Sequence, residues 1–409
     1  MNQADFDVVV AGAGAGGAAA AYHLVRAGLR TLVVEKARLP RYKACGGAIP
    51  RTALADFAID FQGVVEAVPD ETYFTFPGLP PASVPLDGGP VVMVMLSRFD
   101  AYLLSRSGAE VLEGVAVEEV AEDAGGVRVR VGERTLSARY LVGADGATSR
   151  VAHAVGLRAG RQWGGTLEAE VPLAGRPELR SRYGHRAVFA LGVVPDGYAW
   201  SFPKAEVLSV GIGRFRPGRC NLRALLAREM DRLGIPLDGA SLHGHPLPAY
   251  QILPWPSWGR AAWRTTGDGP QERLSTGRCV LVGDAAGLVD PLLGEGIRYA
   301  MISGRLAAEA IARDDLSGYD QAVWRAVGHS LATAGEVARI FHLIPAISYV
   351  LGVRNPAIVG QFVDLLSGRA SYVGSGRRII WNTLKLGWLF RRRRAGTARG
   401  RVRRGRLEA

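Results

Sequence analysis

The feature that most constrains the fold is a glycine-rich loop between an apolar strand and a helix of small residues. Residues 7–11 read DVVVA, as in a buried parallel strand, and residues 18–27 favour a helix. In the loop between them, Gly12 permits a tight turn, Gly14 lets the backbone approach a pyrophosphate, and Gly17 lets the helix pack closely on the strand. The helix N-terminus then attracts a phosphate through its free N–H groups. This pattern predicts a dinucleotide-binding βαβ unit.

An acid at the end of the second strand indicates which dinucleotide binds. Glu35 follows an apolar run and stands eighteen residues after Gly17, in position to accept hydrogen bonds from an adenosine ribose. Because its carboxylate repels a 2′-phosphate, the site suits FAD or NAD rather than NADP. Lys36, the next residue, is a further predicted cofactor contact. A plain glycine-rich turn is the alternative, which the strand–turn–helix–strand context disfavours.

Two later motifs extend the prediction to a flavin. Residues 143–150 read GADGATSR, and Asp284 follows an apolar strand, so its carboxylate is expected at the carboxyl edge of the sheet, where ligands bind. There it would accept hydrogen bonds from ribityl hydroxyls, while Gly294, Gly296 and Ile297 open a helix toward the flavin. Either motif alone is also compatible with a capped turn. All three in this order predict an FAD-dependent oxidoreductase.

The motifs together resemble the flavoprotein hydroxylase superfamily, which has a p-hydroxybenzoate hydroxylase-like fold, and within it the geranylgeranyl reductase family. Four segments carry the narrower resemblance: 40–47 (PRYKACGG), 97–100 (SRFD), 197–203 (GYAWSFP) and 284–297. The implied fold is α/β: a Rossmann-type FAD-binding domain with an inserted antiparallel β-sheet substrate domain and a helical C-terminal region.

The resemblance also implies flavin contacts, at Gly17, Glu35, Cys45, Gly46, Ala48, Arg98, Asp284, Gly296 and Ile297. Cys45, beside two glycines that permit close approach, is the predicted catalytic residue; the alternative is a small buried side chain. Arg98 is a reasonable phosphate or adenosine partner because a guanidinium is always charged, and the alternative is a solvated helix cap.

Alternating aromatic residues mark the predicted substrate wall. Tyr198, Trp200 and Phe202 would share one face of a strand, as a wall for an isoprenoid chain or as ordinary core. The resemblance implies an enzyme of isoprenoid lipid metabolism that reduces C=C bonds of a geranylgeranyl-type prenyl chain, on a lipid, quinone or chlorophyll-type substrate. Its flavin would be reduced by NAD(P)H or ferredoxin. A flavin monooxygenase or epoxidase acting on an apolar aromatic or polyene substrate, and a non-enzymatic lipid-binding flavin fold, are the alternatives.

The predicted domains are discontinuous, because the substrate sheet is inserted into the nucleotide domain. They are an FAD-binding domain (1–75, 97–160 and 275–325), a substrate domain (76–96 and 161–274), a helical C-terminal region (326–390) and an Arg-rich tail expected to be disordered (391–409).

The net charge of +12 is concentrated in the tail, where residues 391–409 hold nine Arg and one Glu. The apolar segment 379–390 precedes it, so residues 379–406 are predicted to bind an anionic membrane surface. A helix docked on the body and a solvated tail are the alternatives. A basic motif with interleaved aromatics is missing from the body, which argues against specific nucleic-acid binding.

The cysteines favour a reducing compartment. The chain has three, Cys45, Cys220 and Cys279, which form neither a disulfide framework nor a metal-binding pattern. We therefore expect no metal, and a cytoplasmic protein that is peripheral at the inner face of the cell membrane.

Overall fold

The computed structural model describes residues 4–157, 162–250 and 273–373. The predicted tail and membrane segment lie outside these residues. The strands are β1 (Phe6–Ala11), β2 (Thr31–Glu35), β3 (Ala48–Pro50), β4 (Val65–Ala67), β5 (Glu71–Phe76), β6 (Leu79–Pro85), β7 (Val91–Val94), β8 (Glu110–Glu113), β9 (Val117–Asp123), β10 (Gly126–Val131), β11 (Arg134–Gly143), β12 (Gln162–Pro172), β13 (Arg186–Leu191), β14 (Gly197–Pro203), β15 (Val207–Arg214), β16 (Ser241–Ala249) and β17 (Cys279–Leu281).

The helices surround the sheets and dominate the C-terminal part of the described chain. They are α1 (Ala15–Arg26), α2 (Arg51–Leu54), α3 (Leu96–Ser105), α4 (Arg150–Ala154), α5 (Pro177–Tyr183), α6 (Leu222–Leu233), α7 (Ile297–Ala312), α8 (Tyr319–Val323), α9 (His329–Leu343), α10 (Pro345–Ser348) and α11 (Pro356–Leu366). Among the described residues there are also two 3₁₀ turns (Gln62–Val64 and Gly283–Ala286) and two π-helical turns (Trp324–Gly328 and Tyr349–Val353).

The first sheet carries the nucleotide-binding motifs. Its order is β8-β2-β1-β11-β10-β9, with β17 also paired to β11. Strands β8, β2, β1, β11 and β17 run parallel, whereas β9 and β10 form an antiparallel ribbon on β11. Val8, Val9 and Val10 are fully buried, as expected for a parallel strand that is covered on both faces.

The second sheet is the predicted substrate sheet. Its order is β16-β12-β15-β14-β13-β5-β6, antiparallel except for the parallel pair β5 and β13. On β14, Ala199 points into a core with α5 and α6, whereas Tyr198, Trp200 and Phe202 belong to an aromatic cluster on the opposite face. A small third sheet, β3-β7-β4, is also present. The structure confirms the predicted mixed α/β architecture.

The C-terminal helices cover the aromatic face of the second sheet. Tyr349 and Val353 pack with Phe74 and Phe189, and the Tyr349 hydroxyl donates to the Phe74 carbonyl at 3.1 Å. Among the described residues, none of the helices alone has the length and hydropathy to cross a bilayer; only a pair bent by 112°, Tyr319–Leu343 with Pro345–Val353, passes that test.

Candidate functional site

The glycine loop leaves the N-terminus of α1 open. Gly12 has a φ of 103°, and a Cβ there would lie 2.4 Å from the Ala144 carbonyl oxygen. A Cβ on Gly17 would lie 1.9 Å from the Gly12 carbonyl oxygen, so the helix can approach the strand only through glycine. At Gly14, by contrast, the nearest neighbour of an added Cβ is Arg41 Nη2 at 3.6 Å. The backbone of Gly14 is therefore free to meet a ligand.

Glu35 is buried beside the loop and has an unexpected cationic neighbour. Its carboxylate accepts from the N–H groups of Ala13 (2.8 Å) and Ala37 (3.1 Å). Arg41 lies 3.6 Å from Glu35 and 3.0 Å from Asp100, which is fully buried. Burial raises the pKa of Asp100 to about 6, although Arg41 opposes that shift. Both carboxylates near the glycine loop thus have Arg41 as a cationic neighbour, a residue of the 40–47 motif to which the sequence assigned no role.

Arg98 and Lys36 lie outside the lining of the cavity between the two large sheets, as do the predicted contacts Gly12, Gly17 and Glu35. Arg98 lies on α3, where its guanidinium donates to Glu66 at 2.6 Å and to the Gly63 carbonyl at 3.2 Å, and its side chain is 57% exposed. Lys36 is exposed directly after β2. Their contacts with FAD stay predictions.

A cavity lies between the two large sheets and gathers most of the predicted site residues. Those that line it are Gly14, Cys45, Gly46, Ala48, Tyr198, Trp200, Phe202, Asp284, Gly294, Gly296 and Ile297. Lys43, Glu168 and His245 also line it and were missed. Glu168 and His245 stand on β12 and β16, and the pairing of these two strands brings both side chains to the cavity.

Asp284 is held in its ionised form at the cavity edge. It lies in the 3₁₀ turn after β17, with its Oδ2 atom 3.3 Å from Lys43 Nζ and 4.0 Å from His245 Nε2. Burial alone raises its pKa, but Lys43 and His245 outweigh burial and hold the pKa well below its usual range. The carboxylate is therefore available as an acceptor for ligand hydroxyls.

Cys45 lies where the loop 43–47 meets the predicted substrate wall. A Cβ on Gly46 would lie 2.8 Å from Phe202 Cδ2, so the wall packs directly on the loop. The Cys45 thiol accepts a weak bond from the Gly47 N–H at 3.4 Å. Burial raises the pKa of the thiol, and the charge of Glu168 raises it further. The thiol is protonated at neutral pH and can act as a proton donor.

These residues fit an FAD molecule. The open N-terminus of α1 at Gly14 suits the pyrophosphate, Glu35 the adenosine ribose and Asp284 the ribityl chain. Glycines at 46, 294 and 296 permit close approach of the backbone to a flat ring. Among the described residues, His, Cys, Asp and Glu form no cluster that could hold a metal ion.

Comparison with known proteins decides the family. A family model described as an FAD binding domain matches residues 5–174. Chloroplastic geranylgeranyl diphosphate reductase of Oryza sativa subsp. japonica is 31% identical over 76% of this chain and 67% of its own length. Geranylgeranyl diphosphate reductase of Rhodobacter capsulatus is 30% identical, over 75% and 74% respectively. The chain belongs to the geranylgeranyl reductase family. It is an FAD-dependent oxidoreductase.

Other relatives of this geranylgeranyl reductase family member carry different names on a common fold. Menaquinone reductase of Mycobacterium tuberculosis is 30% identical over 76% of this chain and 78% of its own length. A geranylgeranyl bacteriochlorophyll reductase-like protein from Thermoplasma acidophilum superposes with a TM-score of 0.68 at 22% identity, covering 92% of this chain and 95% of that one. The flavin-dependent brominase Bmp2 reaches 0.69 at 19% identity, over 95% and 99%. At these identities the two superpositions establish the fold alone.

In this family member, Asp284→Ala should weaken FAD binding. Loss of hydrogen bonds to a charged acceptor costs on the order of 1.5–3 kcal/mol each, which corresponds to roughly a ten- to hundredfold weaker Kd per bond. Titration of the apoprotein with FAD, followed by flavin fluorescence, measures this. Asp314→Ala, at an exposed carboxylate that pairs with Arg139, is the control. Equal affinity of the Asp284 variant and the wild type would remove Asp284 from the flavin site.

Proposed function

We propose that this flavoprotein saturates C=C bonds of a geranylgeranyl-type prenyl chain. The observation that carries the proposal is the aromatic wall of β14: Tyr198, Trp200 and Phe202 all line the cavity that also contains Cys45 and Asp284. A wall of large apolar side chains suits an isoprenoid chain, which offers few polar groups to recognise.

A second cavity supports the same substrate class. It adjoins the first through three shared lining residues, Phe189, Tyr198 and Leu293. Its other walls come mainly from apolar residues of α9, α11 and the π-helical turn Tyr349–Val353. An apolar space that continues away from the reaction site is what a long prenyl chain requires.

The bound cofactor and the protein would supply different parts of the chemistry. Bound reduced FAD, supplied with electrons by NAD(P)H or ferredoxin, would provide a hydride for one alkene carbon. The protein must hold the alkene in a dry space and deliver a proton to the other carbon. Cys45 would donate that proton from its thiol, and the resulting thiolate would regain a proton from solvent.

Turnover without oxygen tests the proposal. The protein is reduced anaerobically with dithionite and supplied with geranylgeranyl diphosphate, and the product is examined by mass spectrometry. We expect a mass gain of two hydrogen atoms for each saturated bond. A product that forms only in air and gains oxygen would instead establish a monooxygenase or epoxidase. A bound but unchanged prenyl compound under both conditions would favour a lipid-binding role.

We also propose that the protein works at a membrane surface. A long prenyl chain is nearly insoluble in water, so an enzyme that acts on it benefits from collecting it at a bilayer. Leu343, Ile347 and Val350 are 66%, 51% and 38% exposed, and residues 340–353 contain no Asp, Glu, Lys or Arg. The sequence predicts that the segment 379–406 makes the membrane contact.

Removal of residues 374–409 should therefore reduce binding to anionic vesicles and leave the flavin spectrum intact. Each Arg near an anionic surface contributes about 1 kcal/mol, and salt screens that attraction. Co-sedimentation with vesicles at low and high salt measures the effect, with neutral vesicles as the control. If the full-length protein does not co-sediment with anionic vesicles at low salt, the membrane proposal is wrong.

A further inference from the structure

Both backbone polar groups of Cys45 are held by charged side chains of the substrate sheet. Glu168 Oε2, on β12, accepts from the Cys45 N–H at 2.6 Å. Lys204 Nζ, directly after β14, donates to the Cys45 carbonyl oxygen at 3.2 Å. Glu168 and Lys204 are 1% and 4% exposed. The two peptide groups that flank the thiol-bearing residue are thus each held by a residue far away in the sequence.

Glu168 also links this peptide to the aromatic wall. Its other carboxylate oxygen accepts from the Ser209 hydroxyl, and Ser209 Oγ accepts from Trp200 Nε1 at 3.1 Å. The Tyr42 hydroxyl donates to Glu168 Oε2 at 3.3 Å. A continuous hydrogen-bonded path therefore runs from the indole of Trp200 to the backbone of Cys45.

A carboxylate at this depth is costly to bury, and the cost is tolerated only where donors surround it. Glu168 meets three of them: the Cys45 N–H and the hydroxyls of Tyr42 and Ser209. A structural role alone could be filled by apolar packing of similar volume at no such cost. The retained charge, at the wall of the cavity, points to a function for Glu168.

We propose that Glu168 is a positioning residue, which fixes the position of the Cys45 thiol on the cavity wall relative to the indole of Trp200. The inference rests on the proposed role of Cys45 as proton donor. Because Glu168 holds the loop and the wall together, the place of the thiol and the shape of the substrate space are set by one carboxylate.

The charge of Glu168 adds a second effect that can be measured. The titratable groups that face Cys45 are Glu168 from β12, Lys204 after β14, Tyr198 on β14, and Tyr42 and Lys43 on its own loop. Burial raises the pKa of the thiol most, Glu168 raises it further, and the two lysines lower it. Removal of the negative charge should therefore lower the pKa of the thiol.

Glu168→Gln tests both effects, since an amide keeps the shape and one acceptor for the Cys45 N–H but carries no charge. In the FAD-loaded protein, the rate of Cys45 alkylation by iodoacetamide is followed against pH by peptide mass spectrometry. We expect the profile to move to lower pH, so that the alkylation rate on the acid side rises. Cys220, which is also partly exposed, is the internal reference. Glu170→Gln, two residues along β12, is the matched control and should leave the profile in place.

Glu168→Ala leaves the Cys45 N–H without its acceptor and should lower kcat more than it raises KM, with partial recovery in Glu168→Gln. An unchanged alkylation profile in Glu168→Gln would overturn the inference, whether or not Glu168→Ala folds. The alkylation readout involves no prenyl substrate. A shifted profile in a protein that fails to reduce prenyl chains would keep the Glu168–Cys45 linkage and refute the proposed function.

Discussion

Cys45→Ala should lose most of the anaerobic prenyl reduction and still purify with FAD. A positioned general acid typically contributes about 10²–10⁴-fold to a rate, so we expect kcat to fall by at least about a hundredfold. The flavin contacts predicted at Gly14, Glu35 and Asp284 do not involve the Cys45 thiol. Steady-state turnover and the flavin absorbance spectrum are the two measurements.

Two further variants test whether the loss of turnover is specific to the Cys45 thiol. Cys220→Ala should retain full turnover, because Cys220 does not line the cavity. Cys45→Ser keeps the size of the side chain but has a much less acidic hydroxyl, so it should also be slow. Normal turnover in both Cys45→Ala and Cys45→Ser would mean that Cys45 is only a small packed residue.

Gly14→Val should abolish FAD binding in a protein that still folds. The Gly14 backbone has a φ of −73° and a ψ of 176°, which a valine adopts without strain, and an added Cβ has only Arg41 nearby. The valine side chain would occupy the space at the N-terminus of α1 that the pyrophosphate needs. We expect the FAD affinity to fall by more than about a hundredfold, equivalent to roughly 2.8 kcal/mol.

Thermal unfolding of the apoproteins separates this effect from misfolding. Gly14→Val and wild-type apoprotein should have similar Tm values, and only the wild type should gain stability when FAD is added. Gly63→Ala, where an added Cβ has no atom within 4 Å, is the control and should bind FAD normally. A Gly14→Val variant that takes up FAD like the wild type would place the pyrophosphate elsewhere.

The parts of the site that the sequence predicted are those in which a few adjacent residues determine the local geometry. The turn at Gly12, the close approach at Gly17 and the acid at Glu35 belong to one short strand–turn–helix–strand unit. The alternation of Tyr198 and Trp200 likewise follows from the period of a strand. Local conformation determines these features, so local patterns are enough to find them.

The parts of the site that the sequence could not predict depend on partners that are distant along the chain. Arg41 pairs with Asp100 across 59 positions, and the Cys45 N–H meets Glu168 across 123. The family resemblance predicts that Arg98 contacts FAD, but the sequence does not reveal that the fold also brings Glu66 to its guanidinium. A charged residue in a sequence does not reveal its counter-ion, since sheet order and helix packing decide which carboxylate it meets.

Single-turnover reoxidation of the flavin tests the proposed function most directly. The FAD-loaded protein is reduced with one equivalent of dithionite under strict anaerobiosis and mixed with geranylgeranyl diphosphate, while the absorbance of oxidised flavin is recorded. We expect the absorbance to return in the absence of oxygen, in proportion to the double bonds saturated, and a fully saturated chain to have no effect. Absorbance that stays bleached with the prenyl compound and returns only when air is admitted would contradict the assignment of prenyl reduction.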